Sequence, residues 1–153
     1  MKRVDGLREL SDDHHTGLVL ARRCKQAGGE DSELSPERAW AQVLDAFSRH
    51  LEPHFQIEEQ HLLPALEAIG EAPLAERIRE DHGALRALRS TGAASRALLE
   101  RFGQLLEAHI RYEEREVFEP TQNRLPARVL QAIASACRTN PRVSAAPQRR
   151  PTH

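Results

Sequence analysis

Histidine and glutamate recur at one spacing in two places: His54-Phe-Gln-Ile-Glu58-Glu59 and, 55 residues later, His109-Ile-Arg-Tyr-Glu113-Glu114. Residues four apart on a helix lie one above the other, so each pair can aim an imidazole and a carboxylate at one point. Both copies are followed by an apolar pair and a proline, Leu62-Leu63-Pro64 and Val117-Phe118-Glu-Pro120. Upstream of each copy stand further histidines, His14 and His15 before the first and His82 before the second. Neutral imidazoles with carboxylates form a borderline-to-hard donor set that suits iron, manganese or zinc, and does not suit copper(I) or calcium.

The neighbours of these residues decide between a solvated face and an interior. Phe47, Leu51, His54, Glu58, Leu62 and Ala65 advance by threes and fours, as do Leu98, Phe102, Leu105, His109, Glu113, Glu116 and Val117. Each is a core-facing stripe with ionisable groups in its middle. Burying such groups costs several kcal/mol apiece unless they are paired or bound to a metal. A single such pair would read as an ordinary surface pair; two in matched apolar stripes point to a buried metal site. His82 shares the apolar side of its segment with Leu74, Ile78, Leu85 and Leu88.

Two residues compete for the equivalent place in the first segment. His14 continues the face of Leu7, Leu10, Leu18 and Ala21, whereas His15 stands three before Leu18 as His82 stands three before Leu85. The apolar face favours His14, and His15 stays a candidate. Four imidazoles and two bridging carboxylates would leave positions open on two octahedral ions, the requirement for small-molecule chemistry at a metal.

The elements that must position these groups are helices. Glu, Arg, Leu and Ala are good helix formers and dominate the chain, while aromatic residues make up only 4% of it. Periodicity and punctuation place helices over Ser11 to Gln26, Pro36 to Pro64 or slightly beyond, Leu74 to Arg89 and from Ala93 or Ser95 to Pro120. Ser11 and Ser35 are the expected caps of the first two, with Pro36 at the first helical position of the second. A shorter helix from Pro126 to Cys137 packs outside or caps one end. The expected fold is all-α, an up-down-up-down four-helix bundle with a short extra C-terminal helix. One domain over residues 1–137 precedes a tail, 138–153, that has no apolar period and reads as disordered.

Charge balances at 22 basic against 23 acidic residues among 153, which gives no reason to expect nucleic acid or a membrane as partner. Lys2 and Arg3 have no apolar stretch behind them, and no run approaches the roughly 18 apolar residues of a membrane span. Cys24 and Cys137 are far apart and form no thiolate metal motif. These features lead to the expectation of a soluble, cytoplasmic protein.

The sequence of a lone His, H-x-x-x-E, a lone His and H-x-x-x-E resembles the hemerythrin family, specifically the HHE cation-binding domains of bacteria, over Leu10 to Pro120. The resemblance implies a four-helix bundle with two non-haem iron ions, bridged by two carboxylates and an oxo or hydroxo group. It implies His14 or His15, His54, Glu58, His82, His109 and Glu113 as metal ligands, with Glu58 and Glu113 as the bridges. Zinc or manganese could substitute, since divalent affinity at such a site favours zinc over ferrous iron. The small ligands implied are O2, peroxide or NO, bound or sensed. The alternatives are an enzyme-like turnover of peroxide or NO, repair of iron centres, or a metal-free helical interaction module.

One departure is visible. The oxygen-carrying hemerythrins place two histidines four apart on the third helix, whereas the positions four before and after His82 are Ile78 and Arg86. Either a coordination position stays open or His61, His50 or Glu116 fills it. Tyr112 could donate a hydrogen bond near the metals or pack between helices. Glu59 and Glu114, one step off the ligand stripe, are expected to face a neighbouring helix or solvent and hold arginines.

Overall fold

Where each helix passes from one apolar cluster to the other, it carries a histidine, a glutamate or both. The computed structural model describes residues 2–139. Its helices are α1 (Leu7–Ala27), α2 (36–68), α3 (Ala72–Arg89), α4 (96–121) and α5 (Ala127–Thr139). One cluster gathers Ala21, Cys24, Trp40, Val43, Phe47, Phe55, Leu85, Leu99, Phe102 and Leu106. The other gathers Leu7, Leu10, Leu62, Leu63, Leu66, Ile78, Val117 and Phe118. In chain order α1 and α3 run from the second cluster to the first, and α2 and α4 run back. The expected up-down-up-down bundle is therefore present, with no strand among the described residues. Ile133 and Cys137 of α5 join the second cluster, so the extra helix closes that end.

The expected cap at Ser35 forms, and Ser95 caps α4: each hydroxyl accepts a backbone N–H, from Arg38 at 3.2 Å and Leu98 at 3.0 Å. The expected cap at Ser11 does not form. α1 starts a turn earlier, after Gly6, whose φ of 88° suits glycine and whose missing Cβ would lie 2.5 Å from the Leu130 carbonyl oxygen. Ser11 instead sits inside the helix and donates to Glu114 at 3.0 Å. α5 runs on to Thr139, so the first two residues of the expected tail are helical; the rest of that tail lies outside the described residues.

α2 continues past Pro64 to Ala68, within the expected reach slightly beyond that proline, and α4 passes its expected end at Pro120 by one residue; both prolines lie inside their helices. Proline lacks an N–H and crowds the carbonyl four residues back. Here the N–H of the residue before Pro53, Pro64 and Pro120 reaches one position further back. Glu52 bonds to the Phe47 carbonyl, Leu63 to that of Glu58 and Glu119 to that of Glu114. The wider π turn absorbs the proline without ending the helix. Two of these three turns begin at Glu58 and Glu113, the glutamates of the repeated motif.

Candidate metal centre

Six side chains meet between the two apolar clusters. His14, His54, Glu58 and Glu113 form one group whose donor atoms lie within 4.8 Å of one another; Glu58, His82, His109 and Glu113 form a second. Both carboxylates belong to both groups. Glu58 Oε1 lies 3.3 Å from His54 Nε2 and 3.1 Å from His82 Nε2. Glu113 Oε1 lies 2.5 Å from His109 Nε2 and 3.7 Å from His14 Nε2. Each glutamate thus faces one imidazole from either half of the bundle. The halves are alike in ring spacing also, with centroids 4.9 Å apart for His14 and His54 and 5.0 Å for His82 and His109.

All six are buried, and apart from the paired His82 Nε2 and Glu58 Oε1 the atoms that face inward lack hydrogen-bond partners. His14 Nε2, His54 Nε2, His109 Nε2, Glu58 Oε2 and both Glu113 oxygens are buried and unsatisfied. A folded interior leaves few such atoms, and a convergent set of this kind fits a cation. The donor set suits the metals named above, and the shared carboxylates suit a pair of ions.

The outward nitrogens are satisfied in a regular way. Asp13 of α1 meets His54 Nδ1 of α2 at 3.0 Å, and Glu59 of α2 meets His82 Nδ1 of α3 at 2.7 Å. Asp81 of α3 meets His109 Nδ1 of α4 at 3.0 Å, and Glu114 of α4 meets His14 Nδ1 of α1 at 3.1 Å. In the neutral ring each Nδ1–H donates to its carboxylate, which leaves the Nε2 lone pair facing the cluster.

These carboxylates govern the charge of the metal-free site. Burial pushes the His54 imidazole down, but Glu58 and Asp13 outweigh it and raise it to about 10. His109 follows the same pattern, lowered by burial and raised to about 10 by Glu113 and Asp81. His14 and His82 are also raised against burial by their carboxylate partners. Burial pushes the Glu113 carboxyl up, yet His109 beside it and contacts with Glu58 and His14 hold it well below the usual range. Glu59 is lowered to about 2: burial opposes this, while His82 and Arg86 favour the anion. Empty of metal, the site therefore holds its negative charge against imidazolium, and a metal would take the place of those protons.

Aromatic rings wall the cluster. Phe55 stacks on His82 with centroids 4.0 Å apart and Phe118 on His14 at 5.4 Å. They keep one face of each imidazole dry and fix its plane.

Of the two competing residues on α1, His14 is in the cluster. His15 is exposed and apart from it, because one helical step turns it about 100° away from the core-facing side. His50 and His61 are half-buried, Glu116 is exposed, and none joins either group. Ile78 and Arg86, which flank His82, have other work: Ile78 is in the second apolar cluster, and Arg86 binds Glu52 and Glu59. Tyr112 packs half-buried against that cluster, with the Arg77 guanidinium 4.4 Å above its ring. Glu59 and Glu114 do hold arginines, Arg86 and Arg3, but each also holds an imidazole. Sequence reasoning passed over Asp13 and Asp81. The signal was present, since Asp-His is repeated at 13–14 and 81–82 as Glu-Glu is at 58–59 and 113–114.

An antiparallel four-helix bundle with two matched His/Glu half-sites at its waist defines a cation-binding class of helical protein. The chain belongs to the hemerythrin family: the family model for the hemerythrin HHE cation binding domain matches residues 5–120. That span includes every residue of both donor groups and all four outer carboxylates. No curated protein and no solved structure was found to match the chain. No described helix is long and apolar enough to cross a membrane.

Proposed function

We propose that this domain holds two iron ions and binds or senses O2, peroxide or NO through them. His14 and His54 would hold one ion, His82 and His109 the other, with Glu58 and Glu113 shared between them. The observation that carries the reading is this sharing: two buried four-residue groups with both glutamates in common. Iron bound there would supply reversible one-electron chemistry and open positions for a small ligand.

The chain's own residues account for the rest. Two carboxylates offset part of the charge of two cations, and four neutral imidazoles add none. The site is therefore less anionic than the carboxylate-rich ferritin type and holds the ferric state less strongly. Phe55 and Phe118 exclude bulk water from one face of the donor rings. Asp13, Glu59, Asp81 and Glu114 are each engaged with an imidazole. None of these four stands ready as a free proton donor, which favours binding and sensing over proton-coupled turnover.

Anaerobic loading with ferrous iron, followed by metal analysis and a visible spectrum after oxidation, tests the reading. About two irons per chain and near-ultraviolet bands of a bridged ferric pair are expected on the family resemblance. Retention of wild-type iron by both His54→Ala and Glu113→Ala would refute the site. Rapid peroxide or NO consumption by loaded protein, lost in those variants, would move the reading to the enzyme-like alternative.

A further inference from the structure

The four outer carboxylates form a closed circuit that no single helix contains. Each stands next in sequence to a cluster residue of its own helix and holds the histidine of the next helix. Asp13, beside His14 on α1, meets His54 on α2; Glu59, beside Glu58 on α2, meets His82 on α3. Asp81, beside His82 on α3, meets His109 on α4; Glu114, beside Glu113 on α4, meets His14 and so returns to α1. All four contacts reach Nδ1, and none reaches the nitrogen that faces the cluster.

Glu59, Glu114 and Asp81 are themselves held from outside. Glu59 takes the Arg86 guanidinium at 2.8 Å, Glu114 takes Arg3 at 3.0 Å and the Ser11 hydroxyl at 3.0 Å, and Asp81 takes Arg77 at 3.2 Å. A carboxylate fixed on one side and bonded to an imidazole on the other has little freedom to turn. It sets both the tautomer and the plane of that imidazole. The consequence is a cross-helix dependence. The donor direction of each histidine is set by the helix before it in the circuit, so the four helices must be in register for all four Nε2 atoms to converge.

We infer that Asp13, Glu59, Asp81 and Glu114 are positioning residues for the metal centre, each controlling the imidazole of the following helix rather than the cluster residue beside it in sequence. This rests on the proposed two-metal reading, and its test separates the two. The probe is zinc, which is diamagnetic and suits the same donors. Zinc affinity is measured by competition with a chelator. In parallel, imidazole nitrogen–proton correlation spectra identify the protonated nitrogen of each histidine, with and without zinc.

Wild-type protein is expected to bind two zinc ions with the four cluster histidines protonated at Nδ1 only. Asp13→Ala should weaken zinc binding by about 10–100-fold, the usual effect of losing such a partner. It should alter the His54 signals while leaving those of its sequence neighbour His14 in place. Asp81→Ala should do the same to His109 and spare His82. Asp13→Asn and Asp81→Asn keep an acceptor oxygen, so they should restore the Nδ1–H signals and most of the affinity. These amide variants also serve if the alanine variants fold poorly.

Wild-type affinity in both alanine variants would overturn the inference while leaving the two-metal reading intact. So would weakened binding in which His14 or His82 is perturbed and His54 or His109 is not. Wild-type protein that takes up no zinc would overturn the two-metal reading, and this inference with it.

Discussion

The first half of the bundle, α1 with α2, and the second, α3 with α4, keep one donor arrangement inside different walls. Three residues after the lone histidine stands Gly17 in α1 and Leu85 in α3. A Cβ at Gly17 would come within 2.7 Å of Ile110 Cδ1, so the α4 side chain occupies the space that glycine leaves. The counterpart of Ile110 is Phe55 on α2, which stacks on His82 across the bundle, and Leu85 of α3 belongs to the same apolar cluster. Four residues after the histidine stands Leu18 in α1 but Arg86 in α3. Glu59, which holds His82, is tied by Arg86 from within the bundle, whereas Glu114, which holds His14, is tied by Arg3, which precedes α1. Donor directions are duplicated and packing is not. A ligand atom tolerates little displacement, while an apolar wall needs only to be filled.

The largest effect should come where the halves are joined. Glu113→Ala removes a donor from both groups and should abolish the binding of both ions. His54→Ala removes one from the first group alone and should leave one zinc at His82 and His109. Metal analysis after equilibrium loading reads the difference directly. Equal loss in the two variants would show that the halves do not act separately.

The halves should respond alike to pH when metal-free. His54 in one and His109 in the other are both raised to about 10, from an unfolded value near 6.5. A raised folded pKa means that the protonated imidazole favours the fold. That contribution is complete below about pH 6.5 and fades as pH climbs through about 10. Urea unfolding of metal-free protein should therefore show falling stability from pH 6 to pH 10. With zinc bound the imidazoles are already neutral, so the fall should be much smaller. A metal-free protein equally stable at both pH values would contradict the charge balance described for the site.

The packing difference gives a smaller and unequal pair. Leu85→Ala empties a fully buried position and should cost about 2–5 kcal/mol by urea unfolding. Its counterpart Gly17→Ala gains up to about 1 kcal/mol of helix propensity but pushes on the flexible end of Ile110. The net change there should stay within about 1 kcal/mol of zero. A Gly17→Ala cost as large as that of Leu85→Ala would mean that Ile110 cannot move without disturbing His109 beside it.

Much of this arrangement could be read from the chain because the repeat carries its own register. The stripes through His54–Glu58 and His109–Glu113 gave two of the helices and four of the six inward groups, since helical period alone puts them on one side. The choice between His14 and His15 needed the tertiary position of α1, as both stand beside apolar residues and one helical step separates them. Pro120 misled as a helix end because proline normally breaks the bond pattern, and the wider turn before it is not visible in helical period. The outer carboxylates were the hardest to place. Glu59 and Asp81 act on helices other than their own, and a spacing rule within one helix cannot see a contact to its neighbour.

The two arginines offer the finest test of the difference between halves. Arg86 donates to Glu52 and Glu59 at 2.8 to 3.1 Å from the last turn of α3. Arg3 bonds the side chain and the carbonyl of Glu114 from the segment before α1. Both are partly exposed, so each ion pair contributes about 1 kcal/mol at most. Arg86→Ala should release Glu59 and loosen zinc in the second half, by less than about tenfold. Arg3→Ala should act on the first half and more weakly, since Ser11 still donates to Glu114. Chelator competition in the two variants, with the His82 and His14 signals followed separately, would show which half has loosened. A larger loss for Arg3→Ala would mean that the chain segment before α1, rather than the bundle interior, sets the stiffness of the centre.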